Sequence, residues 1–438
     1  MEELKQVKKS DVVKYIFLNF IGIFMFFIPV TLQNKNTIPL DHIASFITSS
    51  FPKVIKIYIL ILMGIGAFRP LFIEKNWLKN KTSLFFTTAK LCGFVIGVST
   101  FLSIGPKALF EKDMLPFLFD KLVTPLSVVI PLGGAFIIFL VGFGLLEFMG
   151  VLMENVMRPI FKTPGKSSID AVASFVGSYS IGLLITNKVY TDGKYSLKEA
   201  AIIATGFSTV SATFMIVVAK TLGLIEIWNF YFWSCILITF LVTAITVRLF
   251  PLNRMPNTYY ENNKFQDEKV ENGNIFGRAF ISGINSAQKN NEPVFIQFLK
   301  NYKEGFIITA GILPSIMSIG LLGLVLAKYT PIFDFIGYIY LPFTKILGFD
   351  NPNLIAKALS TSIAEMFLPA ILVTKEGLLA RYVVAIVSIS EILFFSASIP
   401  CILSTDIKIK VTDLLIIWIQ RVILSLILAT IFGYIFLS

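Results

Sequence analysis

One histidine, His42, stands in a chain of 438 residues that also holds only three cysteines and 15% charged residues. Each shortage excludes something. With a single histidine and no HExxH, GxSxG, P-loop or His/Cys cluster, the chain lacks the residue sets behind metal hydrolysis, acyl transfer and phosphate cradling. The expectation is therefore not an enzyme, and no resident cofactor. Cys92, Cys235 and Cys401 lie far apart inside apolar segments without CxxC spacing, so they read as buried single thiols. A soluble chain of this length would carry about a quarter charged residues. The deficit, with 55% hydrophobic residues, removes the soluble classes. A net charge of +11 would suggest nucleic acid in a soluble protein. Here the Lys and Arg flank apolar runs, which reads as topology information and not as a nucleic-acid partner.

What is present is a succession of apolar runs of about 20 residues, the length that crosses a bilayer core. The expectation is an all-α polytopic membrane protein with about nine transmembrane helices and the lipid bilayer as its surroundings. The basic N-terminus, with Lys5, Lys8, Lys9 and Lys14, places the start inside, and the following apolar run is too long for a signal-peptide core. Further crossings are expected at 54–73, 84–104, from near 125, and at 199–221, 228–250, 305–327, 378–403 and 414–437. His42 falls in an outer loop and makes a poor proton relay. Residues 251–304 form one long polar loop whose middle has some helical amphipathicity and suits the membrane surface. Residues 331–347 are short, aromatic and Pro-bounded, and read as interfacial.

One stretch occurs twice. Pro159, Lys162 and Gly165 are spaced as Pro342, Lys345 and Gly348 are, and 31 residues separate Ser180 from Ser211 as they separate Glu365 from Ser396. Each copy carries an apolar run broken by small polar residues (GSYSIG; STSIAEMFLP), a polar turn, and a second apolar run ending VSATF or FSASI. The segment 167–190 reads either as a plain transmembrane helix or as a re-entrant hairpin. Two arms of about ten residues would each reach about 15 Å, to mid-membrane and no further. With hairpins at 167–190 and 352–376, an odd number of crossings lies between them. They enter from opposite faces, the inverted repeat of secondary transporters. The domains are then 1–150 (scaffold helices), 151–250 (first repeat), 251–304 (cytoplasmic loop) and 305–438 (second repeat and final helix). The C-terminus is expected outside.

Intramembrane carboxylates are costly, so Glu365 and Glu391 are candidates for ion coupling, against a local structural role with Lys357, Ser360 or unwound backbone. Glu147, Glu154 and Asp170 fall near the inner interface, where a solvated structural role is expected.

The motifs GSYSIGLLITNKVYTDGKYSLKEAAIIATGFSTVSA, AEMFLP and LFFSAS resemble the Gate, or nucleoside-recognition, domain shared by concentrative nucleoside transporters and the membrane part of the ferrous-iron transport protein B, in its YjiH-like branch of bacterial membrane proteins. The resemblance covers most of 150–250 and 305–420. It implies a bacterial cytoplasmic-membrane protein and a solute site at the tips and helix breaks. On this sequence the site comprises Gly177, Ser178, Tyr179, Ser180, Ser208, Thr209, Ser211, Ala364, Glu365, Glu391, Phe394, Ser396 and Ser398, with Glu365 on the family glutamate. The family Gln and Glu of the first tip fall on Ser178 and Ser180, and the Asn of the second tip on Ala364. The resemblance therefore does not fix a nucleoside as the solute; an amino acid or small peptide suits hydroxyls in one tip and a carboxylate in the other as well as a nucleoside does. Two functions stay open. One is a secondary transporter of a small polar solute coupled to Na⁺ or H⁺. The other is a non-transporting gate or scaffold subunit, with a homo-oligomer or a second Gate-domain subunit as partner.

Overall fold

The computed structural model describes residues 9–28, 30–32, 35–73, 75, 78, 81–112, 114–176, 179–210, 212–262, 274–290 and 292–437. Gly177, Ser178 and Ser211 lie outside them. Helix α1 (Lys9–Phe27) leads through a short antiparallel ribbon, β1 (Val30–Leu32) and β2 (Lys35–Thr37), into α2 (Pro39–Ser50), α3 (Pro52–Phe72) and α4 (Lys81–Leu102). His42 is on α2 and not in a loop; its ring nitrogen donates to the Val30 carbonyl at 2.7 Å. After a π-helical turn at Phe117–Val123 come α5 (Thr124–Phe136), α6 (Ile138–Val141) and α7 (Leu145–Phe161). Gly144, at φ +86°, turns the chain between α6 and α7.

The first repeat consists of α8 (Ser168–Val176), α9 (Tyr179–Thr191), α10 (Leu197–Gly206), α11 (Ala212–Thr221) and α12 (Trp228–Thr246). Then α13 (Ile275–Lys289) precedes α14 (Val294–Ser315), a π turn at Ile316–Gly320, α15 (Leu321–Tyr329), and the short α16 (Ile332–Gly337) and α17 (Leu341–Ile346). The second repeat has α18 (Pro352–Thr361), α19 (Leu368–Leu372), α20 (Leu378–Ser390), α21 (Ser398–Leu403) and the final α22 (Val411–Phe436).

Six helices among the described residues are long and apolar enough to cross a membrane, and Val12–Phe27 and Leu378–Ser390 are shorter apolar ones. The crossing expected at 199–221 is two half-helices, α10 and α11, and the one at 378–403 is α20 and α21. Lipid-facing and packed sides separate cleanly along α3, where Ile57, Ile61, Ile65, Phe68 and Phe72 are exposed while Ile55, Ile59, Leu62 and Met63 are buried. Its packed side lies on α14 so closely that a Cβ at Gly66 would come within 1.7 Å of the Ala310 carbonyl oxygen. Cys235 and Cys401 are buried as expected, whereas Cys92 is exposed on α4.

One boundary and one placement differ from the expectation. The crossing expected from 305 begins at Val294, because Lys300, Lys303 and Glu304 sit on its solvated first turns and hide the helix from a hydropathy reading. The amphipathic α13 packs on protein instead of lying free on the membrane. Its Phe280 meets Tyr15 edge-on at 5.7 Å, and Gly283 abuts Gly144.

The hairpin reading of the first repeat holds. Gly182 faces Ser174, where a Cβ would meet the Ser174 hydroxyl oxygen at 1.9 Å, and Thr186 donates to Asp170, so α8 and α9 run antiparallel. The second hairpin is closed at its mouth by Asn351, which donates to Glu376 at 3.1 Å. The two mouths lie on opposite sides. Asn187 of α9 bonds Asp406 near Tyr260 and the polar loop, while Arg381, just after the second hairpin, donates to the Leu222 carbonyl at the far end of α11. The repeat is inverted. Cysteines placed at Asn257 and Lys375, in a background lacking Cys92, should react with an impermeant thiol reagent from opposite sides of the membrane. Labelling of both from one side would contradict the inverted arrangement.

Candidate solute-binding site

Asp170 fixes the first hairpin to its surroundings. It is 1% exposed, and accepts from Thr186 Oγ1 and Tyr195 Oη, each at 2.7 Å. Both arms and the turn after them are thereby tied to one carboxylate. Nearby, Lys194 pairs with Glu147 at 2.6 Å, and Arg158 bridges Glu154 and Glu199 at 2.9 and 2.7 Å. Burial pushes the Glu147 carboxyl up, but Lys194 and Lys166 outweigh it and hold the group below its ordinary value. A depressed carboxyl stabilises the fold above its ordinary titration range and loses that contribution as pH falls. Glu147 and Asp170 are thus buried anchors, not the solvated groups expected. A capping box, Ser196 with Glu199, starts α10 where the chain leaves the hairpin.

Each repeat then unwinds a helix opposite its hairpin. Residues 207–210 after α10 are non-helical, where Ser and Thr hydroxyls compete with the helix for backbone partners. Residues 391–397 separate α20 from α21, and Ile392 there sits at φ +65°, a conformation that a β-branched residue rarely adopts. The second hairpin tip lies against this break through two backbone bonds, Phe395 N–H to Ile363 O at 2.7 Å and Ser396 N–H to Ala364 O at 2.9 Å. Ser398 closes the same loop, accepting from the Phe394 N–H at 2.9 Å.

The halves meet here. Tyr179 of the first hairpin packs edge-on against Phe394, ring centroids 5.9 Å apart, and Thr209 Oγ1 donates to the Ile389 carbonyl at 3.3 Å. Phe214 and Phe367 make the matching contact between α11 and the second tip at 6.0 Å. Glu365 is 3% exposed and accepts from the Phe367 N–H. Its local partner is therefore the unwound backbone. Lys357 pairs instead with Asp334 at 2.8 Å, and Ser360 donates to carbonyls. Glu391 is fully buried; one oxygen accepts from Trp418 Nε1 at 2.9 Å.

Several buried polar atoms at this meeting point have no hydrogen-bond partner: Tyr179 Oη, Ser208 Oγ, Ser388 Oγ, Ser396 Oγ, Glu391 Oε1 and Arg421 Nη2. Such groups are costly in a low-dielectric interior. A cavity of about 400 Å³, lined by Arg69, Asn187, Lys188, Glu304 and Asp406, opens on the polar-loop side. A separate small cavity of about 10 Å³, sharing Leu184 and Asn187 with it, is lined by Ser180, Cys401 and Thr405.

Of the expected site residues, Tyr179, Ser208, Thr209, Ala364, Glu365, Glu391, Phe394, Ser396 and Ser398 line the contact between tips and breaks, and Ser180 faces the approach. Trp418, Arg421 and Ser388 were not singled out from the sequence. The signal for Arg421 was there, an arginine in the apolar run LLIIWIQRVILS. Trp418→Phe should leave Glu391 without its donor and lower thermal stability by about 1–3 kcal/mol. Glu391→Gln in that background should recover part of the loss, and no change in unfolding midpoint would refute the contact.

A family model described as Gate, nucleoside recognition, matches residues 123–225. An uncharacterized protein of Alkalihalophilus pseudofirmus (strain OF4) is 30% identical over 448 aligned residues, covering 99% of this chain and 97% of that protein. Two solved structures of CNTnw are similar at the level of chain coverage. One, in an outward-facing state, is 12% identical with a TM-score of 0.39 over 98% of this chain and 92% of that one. The other, in an inward-facing substrate-bound state, is 13% identical with a TM-score of 0.38 over 96% and 98%. The chain is an integral membrane protein of the same family as that Alkalihalophilus pseudofirmus protein, and it carries a Gate, nucleoside-recognition, domain at residues 123–225.

Proposed function

We propose that the chain is a secondary active transporter of a small polar solute, coupled to Na⁺ or H⁺, working by alternating access around its two hairpin tips. The observation that carries this reading is the convergence of both tips and both helix breaks on buried polar atoms without partners. Non-helical backbone at membrane depth survives only inside protein or beside a polar cavity, and both breaks satisfy that condition. The cavity beside Asn187 supplies an approach from the polar-loop side.

Orientation follows from charge and packing. Tyr15 of α1 meets Phe280 of the polar loop, so the basic N-terminus and residues 251–304 share a side. By the bias of Lys and Arg that side is the cytoplasm, which makes the cavity cytoplasm-facing and the C-terminus external. Opening the other way would release the second hairpin tip from Ser396 and Phe395 while the first hairpin closes on α14. Lys188, paired with Glu304 at 3.2 Å, already links those two elements.

The solute is a nucleoside, an amino acid or a small peptide. Hydroxyls of the first tip and of Ser208 and Ser396 suit a ligand with several polar groups, and Glu365 suits an amine or a coupling proton. In this reading Glu365 and Glu391 are the ion-coupling groups, and the protein acts without a catalytic step.

Purified protein in liposomes should accumulate such a solute under an ion gradient. Failure to do so alone, with uptake appearing only beside a second membrane subunit, would favour the non-transporting gate or scaffold. Ser180→Ala should weaken solute binding about tenfold, the cost of one lost buried hydrogen bond. Glu365→Gln should abolish coupled uptake while leaving expression intact, and counterflow exchange then separates its two jobs. A proton carrier's variant still exchanges solute, whereas a charge-pairing residue's variant does not. Wild-type accumulation by Glu365→Gln across a range of pH would contradict both.

A further inference from the structure

Arg421 stands in the middle of α22 with no exposed surface. Its Nε donates to the Ser390 carbonyl at 2.8 Å, and one Nη donates to Thr243 Oγ1 at 3.0 Å. That hydroxyl in turn reaches the Gly206 carbonyl at 2.7 Å, sharing its proton with the Thr239 carbonyl at 2.8 Å. Ser390 ends α20 and Gly206 ends α10. One guanidinium therefore serves the C-terminal ends of both broken helices, directly in the second repeat and through a hydroxyl in the first.

The physical reason is the field at those ends. The last carbonyls of a helix have no intrahelical partner and together carry about half a negative charge. Two such ends point into one buried region, and Glu391, one residue past Ser390, adds a carboxylate within electrostatic reach of Arg421. In broken-helix transporters a cation bound by unwound carbonyls and half-helix ends meets this need. A planar guanidinium with five fixed donors can serve two diverging carbonyl groups at once, which an ammonium on a flexible stem cannot.

We infer that Arg421 is a tethered cation that holds the two helix breaks, so that no metal ion is required there. Its consequence for coupling rests on the transporter reading: with that place taken, the coupling ion is H⁺ at Glu365 or Glu391 and not Na⁺. Arg421 touches backbone and a hydroxyl, so it is a positioning residue for the site that the breaks form.

The test uses the full-length purified protein and needs no solute. The thermal midpoint of the wild type should be the same in NaCl, KCl and choline chloride at equal ionic strength, within about 1 °C. Arg421→Ala should unfold at a lower temperature, and millimolar guanidinium or methylguanidinium should raise its midpoint by about 2 °C or more while leaving the wild type unmoved. Arg421→Lys, which keeps the charge but not the fork, should fold with an intermediate midpoint and gain nothing from guanidinium. If Arg421→Ala does not fold, the salt series and Arg421→Lys decide. Na⁺-specific stabilisation of the wild type, or Arg421→Lys equal in midpoint to the wild type, would overturn the inference. So would a folded Arg421→Ala that guanidinium leaves unmoved. Liposome uptake measured in parallel keeps the two ideas apart, since absent uptake with this stability pattern intact sinks only the transporter reading.

Discussion

Backbone that leaves the helix in the middle of a membrane protein has to find other partners, and the rest of this structure depends on how that is done. Residues 207–210 and 391–397 interrupt two helices that would otherwise cross without interruption. Nothing in lipid can satisfy the carbonyl and N–H groups released there. The second hairpin supplies part of the answer, its tip carbonyls at Ile363 and Ala364 accepting from Phe395 and Ser396. Arg421 supplies another part, at the helix ends that the hairpin does not reach. Function grows from the same arrangement, because whatever satisfies backbone by breakable contacts can also release it.

The first hairpin is held differently. Its mouth is fastened by Asp170, and by Lys194–Glu147 and Arg158–Glu199 beside it, while Tyr179 near its tip packs edge-on against Phe394 of the second repeat. A buried carboxylate with two donors at 2.7 Å is a strong anchor, whereas one edge-on ring contact is a weak one. Firm fastening at the mouth suits an element that swings about its base. Ile392, held at φ +65° between Glu391 and the second tip, is the strained counterpart on the other side.

The sequence made the repeat legible because the breaks are written in side chains: Gly, Ser and Thr in TGFSTVSAT, and Glu365 among small residues in STSIAEMFLP. Parity of crossings then placed the hairpins on opposite faces, as the structure has them. What stayed hidden has physical reasons. Ile392 looks like any core residue, since nothing in its neighbours announces a left-handed backbone. The first turns of α14 carry Lys300, Lys303 and Glu304, so hydropathy alone starts that helix too late. Arg421 is plain between Gln420 and Val422, but its partners, the Ser390 carbonyl and Thr243, are brought to it only by the fold. Trp418 reads as one more apolar residue of its helix, because its indole meets its partners, Glu391 and Ser362, only through the fold.

The central claim is that the two repeats enclose one site and move against each other there. It is tested most directly by cross-linking Tyr179→Cys to Phe394→Cys, residues whose native rings lie 5.9 Å apart, with a short reducible thiol reagent in membranes. The account predicts a cross-link that stops solute uptake and is reversed by reductant. A pair that does not cross-link, or one that cross-links while uptake continues unchanged, would contradict it.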